Sequence, residues 1–438
     1  MDVLRVVTSG SVDDGKSTLI GRLLHDAGQI SDDILQAVTE TSQKRGLDFI
    51  DLSLLTDGLL AEREQGITID VAYRYFQTPE RKYIIADCPG HRQYTRNMVT
   101  GASNADIAIL LVDAARGLSE QTLRHAAVCG WLQVPHVVLA VNKLDRIDWS
   151  QSAFAEIEQQ FRQWCEPMGI KRVDAIPMSA LDGDMVVHRG SKLDWYTGKT
   201  LLETLSEAAT SQSDASPVDH AALSVQTINR SNPKTFDGVF RGYGGRVNGG
   251  ILSVGDQITV LPAGHKANVS ELRIGSKEVP FASAGSSVLV RLDRDLDISR
   301  GDVLVRGGDI VVADSARAEL AWFSAEPLKA GQCFDLKIGA QTIQAEVDTI
   351  VARLDLDHLQ PKDAEQVNVD DLATVDFRFD ESVSLAVNDC RTPLGRFILI
   401  DQQTGATVGA GKVREVSTDG GALSVRVPGQ TSTGDTLR

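Results

Sequence analysis

Two hydrophobic patterns divide the chain. Through the first ~210 residues, short apolar runs alternate with stretches whose apolar positions recur every three or four residues. Leu4–Thr8 reads as a strand, and Lys16–His25, after a glycine turn, as an amphipathic helix. A long polar segment, Asp26–Thr68, precedes a predicted hairpin whose arms are Val71–Gln77 and Arg81–Asp87, joined through Pro79 and Glu80. Three apolar strands follow, Ile107–Val112, His136–Val141 and Val173–Met178. Helical stretches are expected near Tyr94–Ser103, Glu120–Gly130, Phe154–Met168 and Leu201–Thr210. This alternation predicts a doubly wound, mostly parallel α/β sheet covered on both faces.

The pattern changes after the polar stretch Ser211–Pro217. From Ala221 onward, short alternating segments are punctuated by glycine: Gly238–Val247, Gln257–Leu261, Asn268–Ile274 and Ser286–Leu292. With helical signals nearly absent, two all-β barrels of ~100 residues each are expected. The domain expectation is 1–212 for the α/β domain, 213–312 and 313–430 for the barrels, breaking near Gly307–Ala313, and 431–438 as a tail or linker.

Composition narrows the partners. The 438 residues carry 44 basic and 60 acidic side chains, a net charge of −16, and residues 301–400 alone hold 9 basic and 18 acidic. A surface that grips a long nucleic acid is basic, so the balance argues against that partner. Five cysteines without a C-x-x-C argue against a disulfide framework or zinc ribbon and for a reduced, cytoplasmic protein. No apolar stretch approaches the ~20 residues of a membrane span, and Met1–Thr8 lacks a signal-peptide layout, so no membrane partner is expected.

The candidate chemistry lies in the α/β part. Gly10-Ser11-Val12-Asp13-Asp14-Gly15-Lys16-Ser17, followed by Thr18, fits G-x-x-x-x-G-K-[ST] between a strand and a helix. Backbone N–H groups there would face the phosphates, with Lys16 neutralising β- and γ-oxygens and the Ser17 hydroxyl ligating Mg²⁺. Asn142-Lys143-Leu144-Asp145 follows a strand directly. In that place the Asp145 carboxylate would accept two hydrogen bonds from guanine; adenine would leave it unpaired, a penalty of ~3–5 kcal/mol. Asn142 would support the loop and contact the base, and the Lys143 stem would stack on the base's face. Ser179-Ala180-Leu181 matches a loop whose backbone meets guanine O6. Asp87-Cys88-Pro89-Gly90-His91 ends the second hairpin arm. There Asp87 would hold Mg²⁺ through water, the Gly90 amide would sense the γ-phosphate and His91 would orient the attacking water. Thr68, in Gly66-Ile67-Thr68-Ile69, would reach Mg²⁺ and the γ-phosphate only while its segment is ordered. Each motif alone also suits an ordinary polar turn; their order along one chain points to GTP.

With these motifs the chain resembles the translation-factor class of GTPases, and Phe240–Gln257 looks like that class's second domain. The narrower resemblance is to the GTPase subunit of bacterial sulfate adenylyltransferase. It is carried by Gly10–Gly21, Glu64–Phe76 and Ile85–Thr100, with Ser11 where translation factors usually have histidine. Cys88 stands where many members have threonine, and Leu181 replaces the lysine of S-A-K. The resemblance implies GTP hydrolysis coupled to formation of adenosine 5′-phosphosulfate and pyrophosphate from ATP and sulfate. It also implies a smaller partner subunit that binds ATP and sulfate, in a heterodimer or higher assembly. Some members continue into an adenylylsulfate kinase domain; after Lys16 no second phosphate loop appears in this sequence. The main rival is a translation factor delivering aminoacyl-tRNA, which shares every GTP motif. A small-molecule kinase is the second; it needs neither a guanine-reading Asp nor a water-orienting His.

Overall fold

The structure, a computed structural model, describes residues 2–47, 49–55, 71–90, 95–170, 172–210, 220–230, 241–308, 310–355, 360–387 and 392–416. Thr68, His91 and the expected linker at 211–217 lie outside these residues, as does the expected tail. The chain divides into two compact units, Met1–Ser213 with Asp355–Gln360, and Asp214–Leu354 with Pro361–Arg438.

In the first unit six strands form one sheet: β1 (Val3–Gly10), β2 (Ala72–Gln77), β3 (Lys82–Asp87), β4 (Ile107–Asp113), β5 (Val137–Asn142) and β6 (Val173–Pro177). Their order is β2-β3-β1-β4-β5-β6, and β2 alone runs antiparallel to its neighbour. Every residue of β4 and β5 is buried, as continuous apolar strands covered on both faces must be. The described helices are α1 (Lys16–Asp26), α2 (Asp32–Lys44), α3 (Thr95–Ala102), α4 (Glu120–Trp131), α5 (Gln151–Cys165) and α6 (Leu201–Glu207). Caps set several of their ends. Ser119 and Ser150 accept the Thr122 and Ala153 N–H groups, and Thr200 with Glu203 forms a reciprocal capping box. The Ser150 cap starts α5 three residues before the apolar pattern predicts.

The polar segment Asp26–Thr68 departs from its expectation, for it contains α2 and a short 3₁₀ turn at Leu52–Leu55. Only Val38 and Ser42 of α2 are buried, so its apolar stripe is too thin to read from sequence. Its support is charge at the ends: Asp32 and Asp33 in the first turn, Lys44 in the last. The 3₁₀ turn lies so close to α1 that a Cβ on Gly21 would strike the Leu52 carbonyl.

The second unit holds two closed antiparallel barrels of six strands each. The first comprises β7 (Ala221–Ser224), β8 (Arg241–Gly249), β9 (Gln257–Leu261), β10 (His265–Ile274), β11 (Ser287–Leu292) and β12 (Val303–Arg306). They close in the order β9-β12-β7-β8-β11-β10, with β10 returning to β9. The second comprises β13 (Ile310–Trp322), β14 (Cys333–Ile338), β15 (Gln341–Asp355), β16 (Leu372–Ala386), β17 (Arg396–Ile400) and β18 (Thr407–Val416). It closes as β14-β17-β18-β13-β16-β15, with β15 returning to β14. Each has its own apolar core; in the second, Trp322 packs edge-on against Phe334 and Phe377 against Phe397. A third cluster, Ala222, Leu261, Val303, Val305, Ile310, Ala386 and Leu394, joins the two barrels.

Candidate functional site

The carboxyl ends of β1, β3, β4, β5 and β6 meet at one edge of the sheet, where Thr8 pairs with Asp87, Gly10 with Leu111 and Asp113 with Asn142. The sheet order places β3 on one side of β1 and β4 on the other, making this the switch point where open α/β sheets bind ligands. The sequence-predicted residues in the described part all gather here: Gly10 to Thr18 between β1 and α1, Asp87 to Gly90 after β3, Asn142 to Asp145 after β5, and Ser179 to Leu181 after β6.

The first loop is fixed from inside. Gly15 is the N-terminal cap of α1 at φ 97°, a left-handed conformation that favours glycine. A Cβ there would also strike the Asn142 amide. Lys16 is only 8% exposed, and its Nζ donates to the Gly10 carbonyl at 3.0 Å and the Ser11 carbonyl at 2.8 Å. Burial pulls the Lys16 ammonium below its usual range, while the nearby Asp87 and Asp14 carboxylates pull it back. Ser11 N–H donates to Asp14 Oδ2 at 2.6 Å. Burial raises the Asp14 carboxyl despite Lys16 and that hydrogen bond. Ser17 and Thr18 stand half-buried on the first turn of α1, with Val12 half-buried and Asp13 exposed in the loop.

Asn142 is the crosspiece. Its Nδ2 donates to the Asp14 carbonyl at 2.8 Å, and its Oδ1 accepts the Ala180 N–H at 2.9 Å. One buried side chain therefore ties the phosphate loop to the loop after β6. Within the loop whose backbone is expected to meet guanine O6, the Ala180 N–H is donated to Asn142. Lys143, itself left-handed, bonds through Nζ to Asp113 Oδ2 at 3.0 Å and to the Asp13 carbonyl, so its stem crosses above the loop. Burial works against the Asp113 carboxylate, but hydrogen bonds from Lys143 and the Ala115 N–H outweigh it and hold Asp113 below the usual range. Asp145 lies half-buried in the following 3₁₀ turn. Ser179 Oγ donates to Asp182, and Leu181 is exposed.

On the other flank, Asp87 is 2% exposed and its Oδ1 accepts from Thr8 Oγ1 at 3.4 Å. The Cys88 thiol is fully buried, donates to the Asn97 carbonyl, and is pushed far up by burial. Its side chain therefore packs inward, leaving its backbone toward the site. A Cβ on Gly90 would lie 2.6 Å from Lys16 Nζ and 2.7 Å from the Gly10 carbonyl. The segment after Asp87 thus rests directly on the lysine.

Sequence reasoning missed four contributors. Arg22 of α1 donates to the Ala180 carbonyl at 3.2 Å and to the Leu181 carbonyl, holding the base-side loop. Asp113 anchors Lys143, while Ser119 and the buried His125 of α4 reach Ser11 and Ser9. The signal for Ser119 is its place as a helix cap; Arg22, Asp113 and His125 carry none, since their partners are distant in sequence. Among the described residues no group of three or more His, Cys, Asp or Glu has metal-site geometry. No helix among them is long and apolar enough to cross a membrane.

Residues 1–211 match the Elongation factor Tu GTP binding domain, and residues 315–414 the GTP-eEF1A C-terminal domain-like family. The chain is 41% identical over 428 residues to "Sulfate adenylyltransferase subunit 1" of Laribacter hongkongensis, covering 97% of this chain and 87% of that protein. It is 43% identical over 418 residues to the protein of the same name from Citrobacter koseri, covering 94% and 86%. Among solved structures, sup35 complexed with GDP aligns over 95% of this chain and 94% of that one, at 20% identity and TM-score 0.41.

Proposed function

The chain belongs to the sulfate adenylyltransferase subunit 1 family, and from that footing we propose that it is the GTP-hydrolysing subunit of the enzyme. It couples GTP turnover to the formation of adenosine 5′-phosphosulfate and pyrophosphate from ATP and sulfate. Adenylyl transfer falls to a smaller partner subunit that binds ATP and sulfate, in the cytoplasm. The observation that carries the GTP part is the Asn142 crosspiece, which joins the phosphate loop to the base-side loop in one site.

In this reading the loop Gly10–Thr18 wraps the phosphates with backbone N–H groups at the start of α1. Lys16, already aimed by two carbonyls, neutralises the β- and γ-oxygens. Asp145 selects guanine, while Lys143 and the Ser179–Leu181 loop frame the base. The buried Asp87 carboxylate and the Ser17 hydroxyl, with Thr68, would supply an all-oxygen donor set of the kind that suits Mg²⁺. Bound there, the ion would offset charge on the phosphate oxygens. His91 orients the water that attacks the γ-phosphorus as GDP leaves, and the Gly90 amide senses the phosphate lost. Ordering of the segment that ends at Thr68 carries the nucleotide state outward; a tenfold change in the partner's affinity needs only ~1.4 kcal/mol of differential contact.

The test is to purify the chain with the small ATP sulfurylase subunit and measure GTP hydrolysis with and without ATP and sulfate. Acceleration by sulfate is expected, and His91→Ala should slow both GTP turnover and sulfate adenylation while GTP affinity persists. GTP turnover indifferent to sulfate, with stable co-elution of aminoacyl-tRNA, would favour the translation-factor reading instead.

A further inference from the structure

Helix α4 touches the phosphate loop twice, once on each side of Gly10. Ser9 Oγ is 2.8 Å from His125 Nδ1, and the other ring nitrogen is 2.8 Å from the Gln121 side-chain amide. Ser11 Oγ shares a 2.7 Å hydrogen bond with Ser119 Oγ. Both α4 residues are themselves anchored. His125 is fully buried, and Ser119 caps its helix, accepting the Thr122 N–H at 3.1 Å and bonding Thr122 Oγ1 at 2.8 Å.

The peptide between the two contacts is the one that aims Lys16, whose Nζ is held by the Gly10 and Ser11 carbonyls. Ser11 is gripped at every polar atom: N–H by Asp14, carbonyl by Lys16, hydroxyl by Ser119. We propose that Ser119, with His125, is a positioning residue for Lys16, clasping the phosphate loop to α4 from either side of Gly10. Both residues bond the loop's own side chains, His125 to Ser9 and Ser119 to Ser11. They act through the backbone carbonyls that direct the ammonium. The proposal rests on the GTP reading of the site.

The experiment measures release of fluorescent GDP and GTP analogues from the full chain. Ser119→Ala should speed release about fivefold, the effect of losing one hydrogen bond, and raise the KM for GTP more than it lowers kcat. Ser119→Thr, which keeps the hydroxyl, should restore the wild-type rate. Ser11→Ala breaks the same contact from the loop side and leaves the helix cap intact. In the double variant the two effects should merge into one rather than multiply. Release from Ser119→Ala at the wild-type rate, or effects that multiply in the double variant, would overturn the clasp. A wild-type chain that binds no guanine nucleotide would instead overturn the GTP reading beneath it, and the clasp with it.

Discussion

The two units handle buried polarity in opposite ways. Among the described residues, 17 polar or charged side chains are buried in the first unit and four in the second, so the first alone must find partners for many costly groups. Thr8, Ser9, Asp14, Lys16, Asp87, Asp113, Asn142 and Ser179 all stand at or just beyond the carboxyl ends of the sheet. The barrels are filled by apolar side chains and closed on themselves, which removes their edges. An unpaired buried polar group costs about 1–3 kcal/mol. The side chains at this sheet edge escape that cost by bonding one another and the loop backbone, so buried polarity here holds the loops in place. The barrels bury few polar side chains, the Ser224 and Ser384 hydroxyls among them, and their strength is packing.

Three changes would break or sharpen that contrast. The largest effect is expected for Asp145→Asn, which should cost GTP selectivity up to ~5 kcal/mol and move preference toward xanthine nucleotides, since an amide cannot satisfy both guanine donors. Competition binding with GTP and XTP checks it; unchanged GTP affinity would mean the base is read elsewhere. Next is Phe397→Ala in the second barrel, where removing a buried ring that meets Phe377 edge-on should cost about 4 kcal/mol of that unit's stability. Denaturant melting should register it while GTP affinity stays at the wild-type value, and a parallel loss of GTP binding would erase the division of labour.

The smallest is a pH effect. Burial, with Lys16 and Arg124 nearby, lowers the His125 pKa from 6.5 to about 3. The unfolded chain therefore takes up this proton near pH 6.5, whereas the folded chain refuses it until about pH 3. His125 contributes fully above pH 6.5, and its contribution drains away as pH falls toward 3. By pH 4 the loss is about 3 kcal/mol. His136 moves in the same direction, so wild-type protein keeps some acid sensitivity without His125. Comparing stability from pH 7 to pH 4 in wild type and His125→Gln isolates the difference; identical slopes would show that His125 is not buried neutral.

Much of the fold was legible because its signals are local. β4 and β5 announce themselves as unbroken apolar runs, and a strand, a glycine loop and a helix follow one another at Gly10–Lys16 within a few residues. The barrels were legible as a class from glycine-punctuated alternation, yet the strands of the second were not separately predicted. Two of them run 15 residues, and β-bulges interrupt their register, as between Val347 and Thr349, breaking the period of two. Helix α2 was missed because it buries two side chains. At the site, the residues that face a nucleotide lie in contiguous motifs, whereas those that brace the motifs do not. His125 is 116 positions from Ser9, and Arg22 is 158 from Ala180. A bracing residue looks like any core or surface residue until the chain is folded.

The apolar seam between the barrels has a consequence for how the chain can be cut. Strand β12 ends at Arg306 and β13 begins at Ile310, so a short connector separates two closed sheets that share Val303, Val305, Ile310, Ala386 and Leu394. Severing the chain there would lay the seam open on both fragments, an adhesive face on each. The smallest piece of this half that keeps its surface wettable is therefore the pair. Recombination, grafting or proteolysis that respects the seam must move both barrels together.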